Sequence, residues 1–156
     1  MYIAVVILTM ALLPAASVLV EHAAHPGSGL VFLVGRWFVF WGVGVRLGIA
    51  GLRQFLQPEF TARQIFGMNT DEALPVIREL GIANAATAVV GLLSLYMPGF
   101  LLPVAISAGL FYGIAGIKHL AASDRSLNEN VAMASDLFLA AILVGFVASR
   151  AAAGWF

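Results

Sequence analysis

Gly35 to Pro58 reads GRWFVFWGVGVRLGIAGLRQFLQP. The stretch is apolar enough to cross a bilayer, yet it carries Arg36, Arg46 and Arg53. An arginine near mid-membrane costs about 2.5–3.5 kcal/mol on insertion scales, so it needs a partner or water. This segment therefore predicts a membrane helix whose charges face an interior. The remaining segments then have to supply that interior.

Hydrophobic residues make up 62% of the 156-residue chain and charged residues only 10%. That balance lies far outside the soluble range and predicts one all-α integral membrane domain over residues 1–156. The length leaves no room for a separate soluble catalytic domain. Formal net charge is zero and the eight basic residues are scattered, which argues against nucleic acid as a partner. With no cysteine, disulfides and thiolate metal sites are excluded.

Tyr2 to Val20 is uncharged and long enough for a first span. A signal peptide would carry a positive segment before its apolar run, and Met1-Tyr2-Ile3 does not. Pro14 predicts a local kink. A loop punctuated by Pro26, Gly27 and Gly29 precedes a second span over about residues 30–53. Residues 55–69 mix Phe55, Phe60, Ile65 and Phe66 with polar groups, as a segment lying on the membrane surface does. Asn69 and Glu72 have capping-box spacing ahead of a helix that passes Pro75 with a kink.

No charge occurs between Leu80 and Ile117, a run too long for one span. Met97-Pro98-Gly99 divides it into spans over about 78–97 and 101–120. Ser126 and Glu129 form a second capping-box pair, opening a fifth span over about 130–150. Trp155 and Phe156 suit an interfacial aromatic anchor. The expected architecture is thus five transmembrane helices, a four-helix bundle core with an extra N-terminal helix.

Five spans put the termini on opposite sides. Arg53, Arg63, Arg78, Lys118 and Arg125 then flank one side, and Arg36 and Arg150 the other. The positive-inside rule predicts a cytoplasmic N-terminus and an external C-terminus in a bacterial inner membrane.

Arg46 and Arg53, seven residues apart, share a helix face about 10 Å apart along the axis. Gln57 continues that stripe, while Gly44 and Gly48 form a GxxxG pair that admits a close neighbour. Asn84, Thr87, Gly91 and Ser94 give the third span a small, polar face, with Glu79 about a turn nearer the cytoplasm. Gly109, Gly113 and Gly116 make another smooth stripe, next to Tyr112 and His119. Glu129 and Asp136 share a face of the last span. The candidate polar interior or ligand-binding cluster is accordingly Arg46, Arg53, Glu79, Asn84, Tyr112, His119 and Asp136. Charges of both signs allow pairing, and Arg46 with Glu79 or Asp136 is the expected pair. A packing network of the same residues is the plainer alternative.

His22 and His25 beside Glu21 have spacing for zinc or copper but lack a fourth ligand, so no metal site is expected. His119 falls at the other membrane face, which removes a bis-histidine haem. No Walker loop, nucleophile elbow or HExxH is present, and no catalytic residue is assigned.

RLGIAGLRQFLQP, RELGIANAATAVVGLLS, GLFYGIAGIKHL and the final helix with Asp136 resemble the DoxX-like group of small bacterial membrane proteins, over about residues 37–150. The resemblance implies a four-helix unit, to which Tyr2–Val20 is an addition. That group includes subunits associated with quinone-linked oxidoreductases. The resemblance connects Arg46, Glu79 and Asp136 with a polar interior. The functional expectation is an accessory or structural subunit of a membrane complex, with quinone or lipid as the candidate cofactor. Its expected partners are membrane lipids and either further subunits or copies of itself. The alternative is a homo-oligomeric small-solute transporter or channel lined by the Arg/Glu/Asp cluster. An enzyme acting on a lipid or quinone headgroup through His119 and Asp136 is the third reading.

Overall fold

A backbone surrounded by hydrocarbon has to satisfy its own hydrogen bonds, which a helix does within one segment. The computed structural model describes residues 2–154, which are helical apart from turns and short connections and include no strand. Trp155 and Phe156 lie outside the described residues. The helices are α1 (Tyr2–Ala24), α2 (Leu30–Leu56), a short α3 over 58–65, α4 (Asp71–Leu93), α5 (Pro98–Leu120) and α6 (Leu127–Ala152). All but α3 are long and apolar enough to span a membrane.

Leu19, Val76 and Ile114 are 69%, 69% and 67% exposed, and similar residues face outward along every long helix. Apolar surface of that extent matches hydrocarbon rather than water. The fold is an all-α integral membrane protein.

Glycines set the closest approach. A Cβ on Gly51 would stand 2.7 Å from the Ala85 nitrogen and the Gly81 oxygen, so α2 and α4 touch backbone to backbone. Gly44 meets Gly91 and Leu92 farther along the same seam. Gly116 packs under Leu137 and Gly109 beside Leu143, joining α5 to α6. The two pairs, α2 with α4 and α5 with α6, meet where the first half of α2 crosses α6. There Gly35 lies beneath the Phe146 ring and Gly42 beneath Leu139. Leu33, Val39, Val43, Leu139 and Leu143 are fully buried where the pairs meet. Helix α1 is peripheral and rests mainly on α2, through Trp41 Nε1 donating to Ser17 Oγ at 3.0 Å. Glu21 accepts from Arg36 and from Trp37, each at 2.6 Å.

Pro14 follows a wide turn at Leu8–Leu12, in which the Leu13 N–H reaches back to the Leu8 carbonyl. Wide turns and prolines are both sites of helix bending. Several local expectations are corrected. Helix α1 continues to Ala24, so Glu21 and His22 are helical. The Asn69–Glu72 capping box does not form: Thr70 is the extended cap residue of a 3₁₀ turn, with no side-chain cap bond. Pro75 falls in the first α-helical turn, where the missing N–H has no helical partner to lose, so it breaks no hydrogen bond. At α6 half of the second box is present, because Ser126 Oγ accepts from the Glu129 N–H at 3.1 Å.

Candidate functional site

The two helix pairs diverge toward the end of the bundle that holds α3, and a cavity of about 480 Å³ lies between them. One face of α2 supplies Arg46, Ala50, Arg53, Gln54 and Gln57, next to the glycine face that α4 covers. Residues 39–47 of α2 form a π-helical stretch ending at Leu47. Such stretches re-aim the side chains that follow and recur at functional sites. Arg46, inside this stretch, lines the cavity.

Six of the seven sequence-assigned residues line this one cavity: Arg46, Arg53, Asn84, Tyr112, His119 and Asp136. Glu79 does not. It is exposed on the outer face of α4. Gly81, two residues on, faces α2, and two helical residues turn the side chain by about 200°. The expected Arg46–Glu79 pair is therefore excluded by position. Nor does Arg46 form an ion pair with Asp136 among the described residues. Its Nη2 lies 3.5 Å from the Tyr2 hydroxyl, its guanidinium carbon 5.5 Å from the Tyr2 ring centroid, and its buried Nε has no hydrogen-bond partner. Asp136 likewise has no hydrogen bond or ion pair there.

Other wall groups are fixed. Asn84 donates to Gln54 Oε1 at 2.8 Å, a neutral pair across α2 and α4. The Tyr112 hydroxyl donates to the Gly42 carbonyl at 2.9 Å. His119 Nδ1 lies 3.1 Å from Glu129 Oε1. An ionised carboxylate only accepts, so this contact favours the proton on Nδ1. Of the small face expected on α4, Asn84, Gly91 and Ser94 are buried, whereas the Thr87 hydroxyl bonds the Ala83 carbonyl on its own helix.

Helix α3 closes the end of the cavity. Gln57 breaks α2, and Pro58 opens α3 from its first turn. Thr61, Ala62 and Ile65 then face inward while Arg63 and Gln64 face out, as expected of a segment lying across the bundle end. Phe60 sits 5.8 Å from the Tyr2 ring and carries the Arg53 guanidinium 3.4 Å from its centroid. Phe66 stacks on His119, and Ser126 Oγ donates to the Gln64 carbonyl at 3.0 Å.

Sequence reasoning missed Tyr2, Gln54, Phe60 and Phe66 as wall residues, whereas Lys118, at the same depth as the charged cluster, does reach the wall. Gln54 was legible as the position one turn after Ala50. Tyr2 was not, because nothing local marks which side of α1 faces α2. His22 and His25 lie at the opposite end from His119, and no group of three metal-ligating residues occurs among the described residues.

The match to a known family covers residues 1–154 and carries the description "Family of unknown function (DUF6790)". The chain belongs to the DUF6790 family. Since the match begins at residue 1, α1 is part of the DUF6790 pattern. No curated protein and no solved structure matches the chain.

Proposed function

We propose that this small multi-spanning membrane protein is an accessory subunit that holds a membrane amphiphile, a quinone or lipid, in the cavity between its helix pairs. The observation that carries the reading is the cavity itself. Its volume, about 480 Å³, falls in the range of small-molecule sites. A few polar groups stand among apolar walls formed by Leu47, Ile49, Leu80 and Phe111. The subunit role and the quinone rest on the resemblance to DoxX-like proteins. The glycine stripes give no independent support, because they pack helices of this chain on one another. In the proposed setting, a bacterial inner membrane with the N-terminus inside, the cavity opens in the cytoplasmic half.

A transporter is the competing reading. The half of the bundle beyond the cavity is filled by Val39, Val43, Leu139 and Leu143, which favours holding over conduction. Native mass spectrometry after gentle extraction tests the choice. Additional polypeptides with a retained amphiphile mass are expected. A chain that purifies alone and empty, and moves solute in proteoliposomes, would overturn the proposal.

A further inference from the structure

The cavity wall carries three cations, Arg46, Arg53 and Lys118, and one carboxylate, Asp136. None of the three cations forms an ion pair among the described residues. Arg46 has its Nε buried and unpartnered, with only a 3.5 Å contact from Nη2 to the Tyr2 hydroxyl. Arg53 rests on the Phe60 ring, an interaction through the guanidinium face that occupies none of its N–H donors. An unpaired arginine at membrane depth is costly. Arg46 with Arg53 and the exposed Lys118 at the end of α5 leaves the cavity an excess of positive charge that an anion would offset.

The acids nearby do not supply it. Glu79 faces outward, and Glu129 is committed to His119. Asp136 stands beyond ion-pair distance from every cation among the described residues. A neutral headgroup would accept hydrogen bonds but leave the excess charge in place. We infer that the cavity recognises an oxyanion, the phosphate of an anionic bilayer lipid, through Arg46, Arg53 and Lys118. Arginine suits this role because its planar fork presents paired donors to phosphate oxygens. The bilayer is the source because the apolar wall reaches the lipid-facing surface. Ile49 and Phe111 line the cavity and are 44% and 38% exposed, so acyl chains can leave sideways along them.

This inference rests on the amphiphile-holding reading, and one binding experiment separates the two. The full chain is delipidated in a neutral detergent. It is titrated separately with a phosphatidylglycerol, a phosphatidylcholine, a long-chain quinone and inorganic phosphate, with bound masses read by native mass spectrometry. The expected result is that the phosphatidylglycerol binds about tenfold more tightly than the other two amphiphiles. Arg46→Gln and Arg53→Gln should each remove about that factor, the scale of one charge-assisted hydrogen bond. Arg78→Gln, on the outer face of α4, should change nothing and so excludes a general surface attraction. Should Arg46→Gln fail to fold, Arg53→Gln and Lys118→Gln carry the test, since both leave Arg46 in place.

Equal binding of phosphatidylglycerol, phosphatidylcholine and quinone would overturn the oxyanion while the holding reading stands. No bound amphiphile at all would overturn both. Inorganic phosphate bound without lipid would overturn the bilayer as the source.

Discussion

The Tyr112 hydroxyl of α5 donates at 2.9 Å to the carbonyl of Gly42, inside the π-helical stretch of α2. This bond ties the α5–α6 pair to α2 where the packed half of the bundle gives way to the cavity. Tyr112→Phe keeps the ring and removes the bond from a buried site, which costs about 1–2 kcal/mol. Thermal unfolding in detergent should show that loss. An unchanged midpoint would mean that the bond contributes nothing.

The α2–α4 seam should be intolerant of a single methyl group. Gly51→Ala places Cβ against the Ala85 and Gly81 backbones, which cannot rotate away. Overpacking of this kind costs about 1–3 kcal/mol. Gly145→Ala, with nothing within 4 Å of the added atom, should leave the midpoint unchanged or raise it. Thermal midpoints of the two variants side by side decide the matter.

At the other end of the bundle, Glu21 serves two donors, Arg36 and Trp37. Glu21→Ala strands both, whereas Glu21→Gln retains an acceptor. The alanine variant should therefore be the less stable of the two. A double-mutant cycle between Glu21→Ala and Arg36→Ala should give a coupling of about 0.5–3 kcal/mol. A coupling near zero would show that the pair is no more than a surface contact.

Ser126 joins two elements, capping α6 through the Glu129 N–H and holding α3 through the Gln64 carbonyl. Ser126→Ala should cost about 1 kcal/mol from the lost cap alone. It should also speed amide hydrogen exchange across residues 58–66, leaving α4 unaffected. Exchange confined to the start of α6 would remove Ser126 from the fastening of α3.

Most of the fold was legible because a bilayer asks so much of the sequence. Length, apolarity and the Met97-Pro98-Gly99 break predicted the five membrane-length helices found among the described residues. The face carrying Arg46 and Arg53 was legible from helical spacing, and it does line the cavity. Glu79 was misassigned because depth along a helix says nothing about direction around it. The uninterrupted seam of Gly81, Ala85 and Ala88 opposite α2, rather than the charge, determines which face of α4 turns inward. The Arg46 partner was illegible for a related reason. Sequence supplies the charges at one level, but the π-helical stretch and the packing of α1 decide which atoms meet, and Tyr2 meets Arg46.

The central claim is that a membrane amphiphile places its headgroup between the helix pairs. The most direct measurement is photo-crosslinking in bilayers, with a phosphatidylglycerol analogue carrying a diazirine beside its phosphate and adducts mapped by peptide mass spectrometry. Adducts are expected at Ala50, Ala115 and Ala132 on the cavity wall, and they should fall in Arg53→Gln. Adducts confined to lipid-facing positions such as Val76, Leu110 and Ile114, with none on the wall, would contradict the claim.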